Sequence, residues 1–260
     1  SNDEINCLFE DRSGNLWIGT ERGGLNRLSL NPINYFRDFN HTTFNLPQNQ
    51  LTVYAILKSK DKKKIWIGSN EGLYAFDYKS KKLLWHLKDE LLQPGIRSLY
   101  EDAKGRIWVG HYFPSSSMNL VDGKTGNVLP VVPFPKDGVG TVRRILSGEP
   151  NGILMAGGNG MLKLEEGKPL DIRYVKGDRI KYDSRKLFTY LWDIDQIDTC
   201  RFWLSSNGGL LKYDWCQDRV LMTHQLDSAS LYGLNTVFCL HQQSDSRFSL
   251  AAKQLSIQPS

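Results

Sequence analysis

The sequence predicts an all-β protein, a β-propeller of four-stranded blades with five full blades and a partial sixth. Two observations predict it. Leu16-Trp17-Ile18-Gly19 returns as Ile65-Trp66-Ile67-Gly68, Ile107-Trp108-Val109-Gly110, Ile153-Leu154-Met155-Ala156, Phe202-Trp203-Leu204-Ser205 and, as a trace, Phe248-Ser249-Leu250-Ala251. With Trp17, Trp66, Trp108, Leu154, Trp203 and Ser249 equivalent, the steps are 49, 42, 46, 49 and 46 residues. Most copies are followed by a glycine and an apolar residue, as at Gly24-Leu25, Gly72-Leu73, Gly160-Met161 and Gly209-Leu210. A period in the forties, with turn signals between short apolar runs, is the signature of one four-stranded blade per repeat. The expected blades are 4–50, 51–94, 95–139, 140–185, 186–231 and a partial 232–258, one domain over 3–258. Ser1-Asn2 has the look of a tag remnant.

The first unit sets the pattern. Ile5 to Phe9 is an apolar run of strand length, and Asp11-Arg12-Ser13-Gly14 is a hairpin turn, because Asp bonds its own turn and Gly accepts a left-handed backbone. Leu16-Trp17-Ile18 is apolar on both faces, as a strand covered from both sides must be. Arg22-Gly23-Gly24 turns the chain into a third strand, Leu25 to Leu30, and Asn31-Pro32 ends it before an outer strand at Tyr35 to Phe39. Unit two repeats the order with Val53 to Leu57, Ile65 to Ile67, Leu73 to Phe76 and Leu83 to Leu87. No such sheet buries both faces alone, so stacked neighbours supply the core. Trp17, Trp66, Trp108 and Trp203 are expected to fill the space between blades, and Gly19, Gly68 and Gly110 to admit a close approach. These are scaffold positions.

The later units depart from the pattern. Unit three replaces the glycine turn with His111-Tyr112-Phe113-Pro114-Ser115-Ser116-Ser117-Met118, and Asp122-Gly123-Lys124-Thr125-Gly126 turns between its outer strands. Unit five starts near Leu187 and unit six at Asn235. The chain opens on the first strand of one blade and closes near the third strand of another. That implies a piece of a longer repeat array, a closed six-bladed ring being the other reading and an open edge needing a partner the third.

Composition is that of an ordinary globular chain, 40% hydrophobic and 23% charged over 260 residues, with a formal charge of +5. It contains no apolar run long enough to span a bilayer and no signal peptide at its start. Lysines gather at Lys58, Lys60, Lys62, Lys63 and Lys64, and at Lys79, Lys81 and Lys82, near hairpin turns of one rim, where solvated turn charge accounts for them better than a polyanion site. Nucleic acid is not an expected partner, since no dense basic groove is interleaved with aromatics. Cys7, Cys200, Cys216 and Cys239 form no Cys-x-x-Cys pair, so no metal or other cofactor is expected. Cys7 and Cys239 share one position of the first strand and fit as small apolar residues.

Alternating strand directions put the loops after the second strands, and the loops leading into each first strand, on one rim beside the central channel, where a rigid frame holds binding loops. The rim candidates are Glu21, Arg22, Gln48, Asn49, Asn70, Glu71, Asn159 and Asn207, together with the preferred set Arg97, His111, Tyr112, Phe113, Arg143, Tyr190, Trp192, Tyr232 and Asn235. Sugar recognition uses flat aromatics beside hydrogen-bonding Asn, Asp, Arg or His. Of Arg143 and Arg144, one is expected to face solvent or pair with an acid. A propeller glycosidase or lyase would need paired carboxylates, or His with Tyr, at the channel. Glu21, Glu71, Asp193 and Asp195 do not make such a pair, so the chain is not expected to be an enzyme and no catalytic residue is assigned.

Glu-Asp-x-x-Gly-x-Leu-Trp-Ile-Gly-Thr followed by Gly-Gly-Leu resembles the two-component regulator propeller repeat. Residues 8–25 match it nearly letter for letter, 99–110 well, and the other units in part. In that family the repeats build the extracytoplasmic sensor region of hybrid two-component histidine kinases, common in gut Bacteroides, which detect glycan fragments and control polysaccharide-utilisation genes. The resemblance implies a non-catalytic, periplasmic sensor with an oligosaccharide ligand. The remaining blades or a second sensor domain of the parent chain, and a homodimer, are the other partners it implies. The alternative is an interaction or dimerisation scaffold within the sensor. The motif residues are scaffold, so the resemblance carries over no ligand contact.

Overall fold

The computed structural model describes residues 5–10, 15–21, 24–29, 51–112, 117–133, 140–148, 152–157, 160–165, 171–173, 191–206, 209–224, 236–244 and 247–253. The fold is an all-β propeller of four-stranded blades, and no helix occurs among the described residues. The chain divides into two compact units, residues 1–136 and 137–260.

In the first unit, β1 (Ile5–Glu10), β2 (Asn15–Thr20) and β3 (Gly24–Ser29) form the first sheet. The second holds β4 (Val53–Lys58), β5 (Lys64–Ser69), β6 (Gly72–Asp77) and β7 (Leu83–Leu87) in sequence order. The third holds β8 (Ile96–Glu101), β9 (Arg106–His111), β10 (Ser117–Asp122) and β11 (Val128–Pro133). In the second unit, β12 (Val142–Gly148), β13 (Gly152–Gly157), β14 (Gly160–Glu165) and β15 (Asp171–Arg173) make one sheet. β16 (Leu191–Gln196), β17 (Arg201–Ser206), β18 (Gly209–Asp214) and β19 (Arg219–His224) make another, and β20 (Thr236–Ser244) pairs with β21 (Arg247–Lys253). Every pairing is antiparallel and between chain neighbours, as the sequence predicts for units one and two. The expected outer strand at Tyr35 to Phe39 lies outside the described residues.

The motif residues have the roles that packing assigns them. Trp17 is buried in one cluster with Leu51, Val53, Ile65, Ile67 and Phe76 of the second blade, and Trp66 lies with Ile96, Ile107, Val109 and Val121 of the third. In the second unit Leu154 does the same with Leu191, Ile194, Phe202 and Leu204. In these three blades the second strand thus supplies the bulky residue that packs against the next blade, at about 2–3 kcal/mol for each fully buried side chain. The glycine two residues later makes room. A Cβ at Gly68 would lie 2.7 Å from Ile96 Cγ2, and one at Gly19 would lie 3.2 Å from the Val53 carbonyl oxygen.

The aspartate six residues before the tryptophan closes the hairpin. Asp102 Oδ1 accepts from the Lys104 and Arg106 amides, and Oδ2 accepts from Arg106 Nε at 2.7 Å and from the Trp108 indole N–H at 3.0 Å. The turns between third and fourth strands repeat a second device. Asp77 accepts from the Lys79 and Ser80 amides, Asp122 from those of Lys124 and Thr125, and Asp214 from that of Gln217. The residue four after each takes a positive φ: Lys81 at 60°, Gly126 at 77°, Asp218 at 47°. The two hairpin ends are tied across each blade by one amide bond, Tyr78 to Lys63, Gly123 to Gly105 and Trp215 to Cys200. In the fifth blade a Cys200–Cys216 disulfide reinforces that tie.

Candidate functional site

The first strand of every blade carries the same irregularity near its start. The register shifts between Ile5 and Cys7, Val53 and Ala55, Ile96 and Ser98, Val142 and Arg144, Leu191 and Asp193, and Val237 and Cys239. The extra residues are Asn6, Tyr54, Arg97, Arg143, Trp192 and Phe238. A bulge bends the strand and re-aims one side chain out of the pairing pattern. The shared strand position of Cys7 and Cys239 is confirmed by their partners, Gly19 and Ala251. Three of the sequence-predicted ligand residues, Arg97, Arg143 and Trp192, are bulge residues.

In the first unit the bulges of neighbouring blades converge. Tyr54 stacks on Tyr112 with ring centroids 5.1 Å apart and planes 24° apart. The Arg97 guanidinium carbon lies 5.0 Å from the Tyr54 centroid and 5.7 Å from that of Tyr112. All three are half-buried. Burial and the neighbouring Tyr112 raise the Tyr54 phenol pKa, Arg97 pulls it down and Glu21 pushes it up, so the phenol stays a neutral donor at pH 7. Tyr112 is held from behind by its amide bond to the Gly95 carbonyl, 2.7 Å, and the ring's Cβ would sit 3.2 Å from a Cβ at residue 95. Asn70 anchors the strand start by exchanging bonds with the Thr52 backbone, its Oδ1 accepting from the Thr52 amide at 2.7 Å.

His111 is not on this surface. It is 1% exposed, and its Nε2 donates to Asn119 Oδ1 at 2.8 Å, an oxygen that also accepts from the Leu92 amide. Burial lowers its pKa against the hydrogen bonds to Asn119 and to the backbone of Gln93 and Gly95, so the ring is neutral at pH 7. It holds in place the segment that carries Gly95. Glu71 is also engaged, in an ion pair with Lys88 at 2.6 Å, while its carbonyl accepts from His86 Nε2 at 2.8 Å. His86 stacks on Tyr74 at 4.1 Å, and burial followed by Glu71 pushes the Tyr74 phenol up to about 12.

The second unit repeats the motif with different side chains. The Arg143 guanidinium carbon lies 4.2 Å from the Trp192 ring centroid, joining the bulges of two successive blades. Arg144 pairs with Asp193 at 3.4 Å, the pairing expected of one of the two arginines. Asp193 also accepts from the Ile194 amide and Asp195 from that of Gln196, so each carboxylate is bound to its own strand. Phe113, Tyr190, Tyr232 and Asn235 lie outside the described residues, as do Arg22, Gln48, Asn49, Asn159 and Asn207. The sequence reading missed Tyr54. The signal was an aromatic at the same offset from the strand start as Arg97 and Trp192.

The sequence model of the two component regulator propeller matches residues 1–22 and 90–113. Both segments are similar to the repeat of that family. The second segment contains the hairpin and central strand described above, with Asp102 and Trp108 in their scaffold roles. Among solved structures, the extracellular domain of a hybrid two component system of B. thetaiotaomicron superposes with a TM-score of 0.71 at 19% identity, covering 95% of this chain and 32% of that one. A second such domain from the same organism gives 0.69 at 14% identity, covering 97% and 31%. The WD40 domain of Neurospora crassa Pan2 gives 0.59 at 13% identity, covering 91% and 68%. The chain thus spans about a third of the length of the two bacterial structures, and identities this low speak for the fold. None of the curated proteins matches the chain.

Proposed function

We propose that this chain is part of the periplasmic sensor of a two-component regulator, that it is non-catalytic, and that its bulge rim meets a carbohydrate fragment. The observation that carries the reading is the Tyr54–Tyr112–Arg97 cluster, where two stacked rings and a guanidinium converge at the start of the first strands. Ring faces suit the apolar faces of sugars, and phenol and guanidinium donors suit their hydroxyls and carboxylates. The propeller repeats support the two-component assignment. The Cys200–Cys216 disulfide supports an extracytoplasmic location, because such bonds persist in oxidising compartments.

Calorimetry against neutral and acidic oligosaccharides tests the reading. We expect one class to bind, and Tyr112→Ala or Arg97→Ala to weaken binding about five- to thirtyfold, the loss of roughly 1–2 kcal/mol of stacking and hydrogen bonding, with the melting temperature unchanged. Silence across the panel from a folded protein overturns carbohydrate binding by this chain. A concentration-dependent dimer abolished by the same substitutions would reassign the rim to protein contact.

A further inference from the structure

The opposite rim of the first unit has a different character. Each bulge lies at the start of a first strand and each Asp- or Ser-closed hairpin at its end, about 15 Å further along a strand of this length. Four hairpin ends of the second and third blades, residues 58–64, 77–82, 101–106 and 122–127, are bonded edge to edge. Amides join Tyr78 to Lys63 and Gly123 to Gly105, and the Lys60 amide donates to Glu101 Oε2 at 2.6 Å across the blades. These segments hold eleven Lys and Arg against five Asp and Glu.

The five acids spend their oxygens on nearby backbone amides. Asp61, Asp77, Asp102 and Asp122 accept amides of their own turns, and Glu101 accepts that of Lys60. Lys64 and Arg106 pair with Asp61 and Asp102, and most of the other cations face outward. Lys60, Lys62, Lys63, Lys79, Lys82 and Lys124 are exposed at the hairpin tips. Lys58 and Lys81 stand 4.1 and 4.3 Å from the Tyr78 ring centroid, which keeps two more ammonium groups at the same edge. Turn solvation explains a lysine or two. It does not explain a run of exposed lysines along four adjoining hairpins, a surplus of positive charge that the turn-closing acids do not match in number.

We infer that this lysine rim is a docking surface for an anionic phospholipid membrane. Lysine offers a point charge on a flexible stem, without the fork that reads one anion stereospecifically. An array of such charges on neighbouring tips is matched by many phosphates in one plane, each basic residue near such a surface adding to the attraction. The surface lies opposite the bulge rim, so a ligand and a membrane can be engaged together.

Cosedimentation of the chain with phosphatidylcholine vesicles, with and without phosphatidylglycerol, tests the inference. We expect binding only to the anionic vesicles, falling steeply between low and physiological salt. Charge reversal at Lys60, Lys62, Lys63, Lys79 and Lys82 should abolish it, and the milder set of Lys→Gln changes should weaken it at least about tenfold. Both sets must keep the wild-type melting profile, and Tyr112→Ala must bind as wild type. Equal binding to neutral vesicles, no binding at low salt, or binding unchanged by either set overturns the inference. So does capture of a soluble sulfated polysaccharide without vesicle binding, which would reassign the rim to a polyanion.

Discussion

Trp66 and Trp108 hold equivalent places in adjacent blades, yet only one indole N–H has an acceptor. Trp108 donates to Asp102, while Trp66 Nε1 is buried and finds no acceptor among the described residues. Register explains the difference, since Leu57 opposes Trp66 as Tyr100 opposes Trp108, so Ser59 stands where Asp102 does. Ser59 still closes its hairpin by accepting the Lys64 amide at 2.9 Å, but its hydroxyl is too short to reach the indole. Ser59→Asp would offer the indole an acceptor, but it replaces the hydroxyl that donates to Asp61 Oδ1 at 2.6 Å with a second carboxylate, so it should cost about 1 kcal/mol rather than stabilise the protein. Asp102→Ser should cost about 2 kcal/mol, because it strands a buried donor. Urea unfolding of the two variants checks both, and a stabilised Ser59→Asp would show that the indole bond outweighs the repulsion from Asp61.

At the scale of the element, the strands and the scaffold role of Trp and Gly were legible in the sequence, because both follow from a repeat whose faces must be covered. The rim was legible only in part. Arg97, Tyr112, Arg143 and Trp192 reach it because strand direction is readable from alternation. His111 shares a loop with Tyr112 but points into the blade, and one residue of register decides which of two neighbours is buried. The bulges themselves leave no compositional trace, since the extra residue is Asn, Tyr, Arg, Arg, Trp and Phe in turn. The disulfide escaped because spacing alone does not pair cysteines. Only the topology, which brings both turns of one blade to one edge, places Cys200 beside Cys216, with Cα atoms 5.3 Å apart. Cys200→Ser, with its partner also changed to Ser, should cost about 3 kcal/mol for a loop closed over 16 residues. Unfolding of the oxidised wild type against the double variant measures it. An equal loss on adding reductant to wild type, and none on adding it to the variant, attributes the cost to the bond.

For the molecule as a whole, acid should act in two stages. The buried His111 is held below its ordinary 6.5 by burial, so it resists protonation when folded and accepts it when unfolded. Its contribution is present above 6.5 and lost as pH falls from there. The turn aspartates are held below 3.8: Asp61 by the Ser59 hydroxyl, Asp77 by the Ser80 amide, Asp122 by the Thr125 amide and Asp198 by Arg201. Asp102 is raised by burial, but the Arg106 amide, the Trp108 indole and the Arg106 guanidinium together carry it lower. Their contribution persists to about pH 4 and is lost below it. Melting temperature against pH should show a shallow decline under about 6.5 and a steep one under about 4, and His111→Gln should remove the first while leaving the second. A consequence of the bulges follows for the history of such a protein. A residue lifted out of the pairing register answers to the rim and not to the ladder, so each of these blades keeps one position whose side chain the strand pairing does not dictate. Single codon changes there can give a descendant a new appetite while the architecture it inherits stays whole.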